Sequence, residues 1–98
     1  MTERRRYPRR GVRLQAVEHR GNERVPRTVT NLGAGGFFIE EPDAEASPGE
    51  LRVVEFGGGD GAFRVTVEVA YVTTEGVGVR VTRADWERLS KLLADASP

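Results

Sequence analysis

The 98-residue sequence contains no cysteine, which excludes a disulfide framework, a thiolate nucleophile and a zinc knuckle. Histidine occurs once, at His19, so a catalytic triad would need a further base such as a buried carboxylate. His19 lies near a turn signal, where a solvated side chain is expected. No apolar run approaches the ~20 residues of a membrane-spanning helix. No apolar segment follows the Arg-rich opening either, so it does not read as a secretory signal. The cytoplasm is the simplest compartment for such a chain. Glu40, Glu41, Asp43 and Glu45 lack the spacing and central glycine of a calcium loop, and read as a solvated loop. Gly57 to Gly61 lacks the lysine of a phosphate-gripping loop and precedes no helix, so it reads as a turn. These absences predict a non-enzymatic protein with no metal or cofactor of its own.

Net charge is also missing, since 15 basic and 15 acidic residues cancel, but the balance is uneven along the chain. Residues 1–30 carry nine arginines against Glu3, Glu18 and Glu23, a formal +6, and the remainder carries the compensating −6. Lys91 is the sole lysine. Arginine offers a planar donor fork that grips phosphates and base edges in pairs. A coding bias towards arginine would account for the global excess. It does not explain five arginines within the first ten residues.

Hydrophobic residues form 38% and charged residues 31% of the chain, which suits one small globular domain rather than a disordered segment. Residues 1–10, MTERRRYPRR, lack apolar periodicity and contain Pro8, so a flexible extended arm is expected there, with a single domain over 11–98. From Gly11, Val12, Leu14 and Ala16 alternate with polar residues, the period of a half-buried strand. Gly21-Asn22 marks a hairpin. A second strand follows over Val25 to Thr30, with Pro26 favouring an edge. Asn31 to Gly36 reads as a tight connection, and Phe37-Phe38-Ile39 as a third strand. Leu51 to Phe56 predicts a fourth. In the fifth, Phe63, Val65, Val67, Val69 and Tyr71 share one face, over a length that suggests a strand bent around a barrel. Glu75-Gly76 turns into a sixth through Val77, Val79 and Val81. The period then changes: a cap at Thr82 to Asp85 precedes Trp86, Leu89, Leu92 and Leu93, one apolar stripe of a helix near 83–95. Six strands and one helix argue for an all-β antiparallel barrel or roll with a C-terminal helix covering an open end or edge.

Two segments have the makings of a binding site. Arg5-Arg6-Tyr7-Pro8-Arg9-Arg10 offers guanidinium groups for phosphates, guanine edges or base faces. Tyr7 serves either as a stacking surface or as an anchor for the arm. In Asn31-Leu32-Gly33-Ala34-Gly35-Gly36, the amide suits a base edge and the glycines permit close backbone approach. A plain hairpin with positive φ angles explains the same residues.

In their order and spacing these segments resemble the PilZ domain family, whose signature is RxxxR followed further along by D/N-x-S-x-x-G. Arg5-x-x-x-Arg9 matches the first half, and Asn31-x-Gly33-x-x-Gly36 matches the second except that Gly33 replaces the serine. Gly76-Val77-Gly78-Val79-Arg80 is similar to the family's last barrel strand. The resemblance implies a six-stranded antiparallel β-barrel and binding of the bacterial second messenger cyclic di-GMP, often as an intercalated pair. It assigns Arg5 and Arg9 to guanine edges and phosphates, Asn31 to a guanine edge, and Gly36 to leaving room against the barrel wall. Arg6 and Arg10 are extra cations for a second ligand molecule or for water. Losing the serine removes a hydrogen bond worth ~1.5–3 kcal/mol if made to a charged group.

The expectation is therefore a cyclic di-GMP receptor that changes shape to act on a protein effector. The alternative is a degenerate PilZ module that binds a protein without nucleotide. Contact of the arm with nucleic acid is opposed by the acidic remainder and by the lack of an aromatic strand platform.

Overall fold

The computed structural model of the chain describes residues 13–33, 35–57 and 62–96. The expected arm, the start of the first strand at Gly11 and Val12, and Gly58 to Gly61 lie outside the described residues. Six strands run in chain order: β1 (Arg13–Arg20), β2 (Glu23–Gly33), β3 (Gly36–Glu40), β4 (Leu51–Phe56), β5 (Phe63–Thr73) and β6 (Gly76–Arg80). One helix, α1 (Arg83–Ala96), follows. Every pairing is antiparallel, and the order β1-β2-β3-β6-β5-β4 closes on itself when β4 pairs back to β1 through Val17↔Glu55 and His19↔Val53. This is a six-stranded closed barrel with a C-terminal helix. Closure removes the exposed edges that an open sheet would carry.

Alternation directs the apolar set inwards. Ala16, Val29, Phe37, Ile39, Val54, Phe56, Val65, Val67, Val77 and Val79 are all buried in one core. Phe37 and Phe56 meet edge to face across it, with ring centroids 5.5 Å apart, a favoured aromatic geometry. Pro26 pairs only with Val17 of β1, because the β2–β3 ladder begins at Thr28. A strand that lacks a neighbour on one side tolerates the missing N–H, so the edge expectation holds locally within a closed barrel.

The helix closes one end. Thr82 Oγ1 accepts the Asp85 N–H at 3.2 Å, satisfying a donor that a helix start leaves unpaired. Asp85 also places negative charge in the first turn, where the helix dipole favours it. Leu89 is fully buried in the barrel core and Trp86 packs against it. The Arg88 guanidinium stacks 4.6 Å from the Phe63 ring centroid.

The inward face near the opposite end is ionic. Glu18 and Arg52 are 2% and 3% exposed, although both occupy core-facing positions of their strands. Arg27 donates to Glu18 at 2.9 Å, and Arg52 reaches Glu18, Glu41 and Glu50. Burial alone would depress the Arg52 pKa, but hydrogen bonds to Glu41 and Glu50 and the charge of Glu18 raise it. The acidic group read as a solvated loop is thus divided. Glu41 belongs to this internal cluster and Glu40 holds Arg13 through two hydrogen bonds of 2.9 and 3.1 Å, whereas Asp43 and Glu45 are exposed.

His19 also departs from expectation. It lies within β1 with its side chain 16% exposed, 2.7 Å from Glu55. Because β4 pairs beside it, the position that looked like a turn flank is a cross-strand contact. That hydrogen bond, joined by the charges of Arg24 and Arg64, holds the Glu55 carboxyl below its ordinary value despite the opposing effect of burial.

Candidate ligand-binding site

Two irregularities in the strand ladder build the site. The first is in β2. Thr30 pairs with Phe38 and Gly33 with Gly36, so Asn31 and Leu32 together oppose the single residue Phe37. Asn31 takes up the extra residue with φ +52°, a left-handed conformation that asparagine tolerates better than most side chains. A bulge of this kind re-aims a side chain and sharpens the local twist. The segment read as a loop from Asn31 is therefore partly strand, with β2 continuing to Gly33. The hairpin then turns through Gly35 at φ +86°, and Gly35 C=O accepts the Val81 N–H at 2.7 Å, fixing the hairpin to the end of β6.

The second irregularity is in β5. Val69 pairs with Val79 and Tyr71 with Gly78, leaving Ala70 as an extra residue. The inside-outside alternation reverses there. Tyr71, expected on the same face as Val65 and Val67, is 53% exposed on the outer wall, and Val72 packs against the core instead. The Tyr71 ring lies over Gly78, where an added Cβ would collide with ring atoms. An aromatic ring covering a strand glycine restores the contact area that the glycine lacks.

Between these irregularities lies an open cleft of ≈ 390 Å³, lined by Asn31, Gly33, Gly36, Phe38, Tyr71 and Gly78, with Phe37 and Val79. Its floor is largely glycine backbone, and the Tyr71 ring forms one wall. Arg80, exposed, stands opposite Gly36 in the β3–β6 ladder. A second cleft of ≈ 450 Å³ adjoins the first, sharing Asn31 and Phe38 and continuing past Glu40, Pro42 and Glu75.

The structure thus brings together Asn31, Gly33 and Gly36 from the sequence-derived set. Gly36 has a packing reason of its own to be bare, because a Cβ there would run into the Val79 carbonyl. A Cβ at Gly33 would meet nothing within 4 Å. Arg5, Arg6, Arg9 and Arg10 lie outside the described residues, although β1 begins at Arg13, which pairs with Thr30 beside Asn31. Tyr71, Gly78, Phe38 and Arg80 were missed in the sequence. Tyr71 carried no local signal, since strict alternation placed it in the core.

Among the described residues, no group of three or more His, Asp or Glu is arranged to hold a metal ion, and no helix is long and apolar enough to cross a membrane. No curated protein matches the chain. The model of the PilZ domain, however, matches residues 3–95. That match spans the whole closed barrel and all but the last residue of its C-terminal helix, so the chain belongs to the PilZ domain family, a family of cyclic di-GMP-binding modules that are typically not catalysts.

Proposed function

We propose that this domain is a non-enzymatic receptor for cyclic di-GMP, with the glycine-floored cleft between the two bulges as its docking surface. The observation that carries the reading is the convergence of Asn31, the open backbone at Gly33 and the exposed Tyr71 ring on one cleft. The asparagine amide suits a guanine edge, and the ring suits a base face. At ≈ 390 Å³ the cleft is near the lower end of the ~300–1,000 Å³ typical of ligand sites. It seats part of a cyclic dinucleotide and leaves the rest to be enclosed by something else. The arm preceding Arg13 supplies that enclosure. Arg5 and Arg9 grip phosphates and guanine edges, while Arg6 and Arg10 add charge beside them. Closure of the arm creates a surface that a protein effector reads, so ligand concentration becomes an interaction.

Calorimetric titration of the purified domain tests this, with cyclic di-AMP and GTP as controls. Saturable heat with cyclic di-GMP alone, lost in Arg5→Ala or Arg9→Ala and reduced less in Arg6→Ala or Arg10→Ala, is the expected result. Absence of both heat and chemical-shift change at near-millimolar ligand would overturn it. A second reading is motivated by Gly33, which lacks the serine hydroxyl of the family signature: a PilZ module that captures a protein without nucleotide. Under that reading a pull-down recovers the same partner whether or not cyclic di-GMP is present.

A further inference from the structure

The second cleft differs from the first in character. Phe38 and Pro42 give it an apolar lining, Thr30 and Thr74 flank them, and the carboxylates of Glu40 and Glu75 border it. Asp43 is tied to the same corner by its N–H, which donates to the Thr74 carbonyl at 3.1 Å. Glu75 and Asp43 form no ion pair among the described residues, and both are exposed. The groove therefore combines an apolar centre with two carboxylates, Asp43 and Glu75, that pair with no cation among the described residues.

The first described residue of the chain sits at this groove. Arg13 pairs with Thr30 and its guanidinium holds Glu40, both lining residues. The twelve residues before it include Arg5-Arg6-Tyr7-Pro8-Arg9-Arg10, an apolar pair flanked on each side by two cations. A chain extends at most ~3.3–3.6 Å per residue, so the six steps from Arg13 to Tyr7 reach up to ~20 Å. That comfortably covers a groove whose rim Arg13 already touches.

We propose that, without ligand, this arm docks in the second cleft, with Tyr7-Pro8 against Phe38 and Pro42 and the flanking arginines on Glu75, Glu40 and Asp43. The docked arm is held away from the first cleft by a neighbouring site that shares Asn31 and Phe38 with it. A ligand must draw the arginines off these carboxylates, so its apparent affinity falls in proportion to the undocked fraction. The docking itself stands on the groove and the charges. Only its effect on affinity rests on the cyclic di-GMP reading.

The absence of cysteine makes the test direct. A spin label on Thr2→Cys in the full chain should broaden the amide signals of Thr74, Glu75 and Glu40 more than those of Val53 and Thr66 on the opposite wall. Glu75→Gln, with or without Asp43→Asn, should weaken that preference, as should raised salt. Even broadening over the barrel, or a focus on another wall, would overturn the docking. In calorimetry, Glu75→Gln should tighten cyclic di-GMP binding about threefold; unchanged or weaker binding would overturn the competition. Focused broadening with no nucleotide heat would uphold the docking and remove the receptor reading. Nucleotide binding without a focus at this groove would do the reverse.

Discussion

Two glycines of the candidate site are bare for different reasons. At Gly36 the β6 backbone leaves no space for a side chain, so Ala there would force the β3–β6 pair apart. At Gly33 the backbone lies outside the left-handed region and the space above it is open. The residue found there in the family signature is serine, and nothing in the barrel prevents it. Gly33→Ser should therefore fold normally and tighten cyclic di-GMP binding by roughly tenfold or more, the worth of one hydrogen bond to a charged group. Titration of both proteins in the same buffer checks this. Equal affinities would mean that a backbone N–H or a water already serves that position.

At the scale of the element, the one-residue bulge at Ala70 decides which side of β5 faces the core. Before it, Val65, Val67 and Val69 point inwards; after it, Val72 does and Tyr71 does not. Removing Ala70 would leave Val69 inward, Tyr71 outward and Val72 inward in plain alternation, with the pairs Val69↔Val79 and Tyr71↔Gly78 kept. The deletion should therefore leave Tyr71 over Gly78 and change the urea midpoint and ligand binding little; a large loss of binding would show that the extra twist of the bulge shapes the cleft. Tyr71→Ala, by contrast, should weaken binding clearly with only a small stability loss, because the ring is half exposed. Denaturation curves and titrations on the two proteins separate these effects. The strand itself was legible in the sequence over its whole length. The bulge was not, because neither Ala70 nor its neighbours announce it; it arises from the register that β6 and Glu50 impose, the latter through the Val69 N–H to Glu50 C=O bond of 2.8 Å.

Across the whole molecule, the barrel is apolar towards the helix and ionic towards the other end. Replacing either Glu18 or Arg52 alone removes one charge from a buried network. The remaining partners, Arg27 for Glu18 and Glu41 and Glu50 for Arg52, are left with an unbalanced charge, the costly way to break such a contact. Acid should act on the same region. The hydrogen bond from Arg52 holds the Glu50 carboxyl below its ordinary value of 4.5, and His19 does the same for Glu55. For a carboxyl depressed by folding, the stabilisation is complete above the ordinary value and is lost as pH falls through the depressed one. The urea midpoint should accordingly hold between pH 7 and 5 and fall below about pH 4.5. Glu50→Gln should be less stable than the parent at pH 6, with the difference narrowing as pH falls below 4.5. A constant difference across that range would show that the contact is not electrostatic.

The sequence alone determined the six strands, the switch to a helix at Thr82, the apolar residues of the core and the resemblance that led to the family. These follow from periodicity and from turn and cap chemistry, which are properties of short segments. Only the tertiary structure decided that the barrel closes through β4 on β1, that Glu18, Arg27, Glu41 and Arg52 meet inside it, that His19 lies against Glu55, and that Tyr71 stands outside beside Asn31. Each of these depends on which strand lies next to which and in what register. A bulge of one residue changes that register without leaving a mark in the local pattern, and pairs such as Glu18 and Arg52 are brought together only by the closure between β1 and β4.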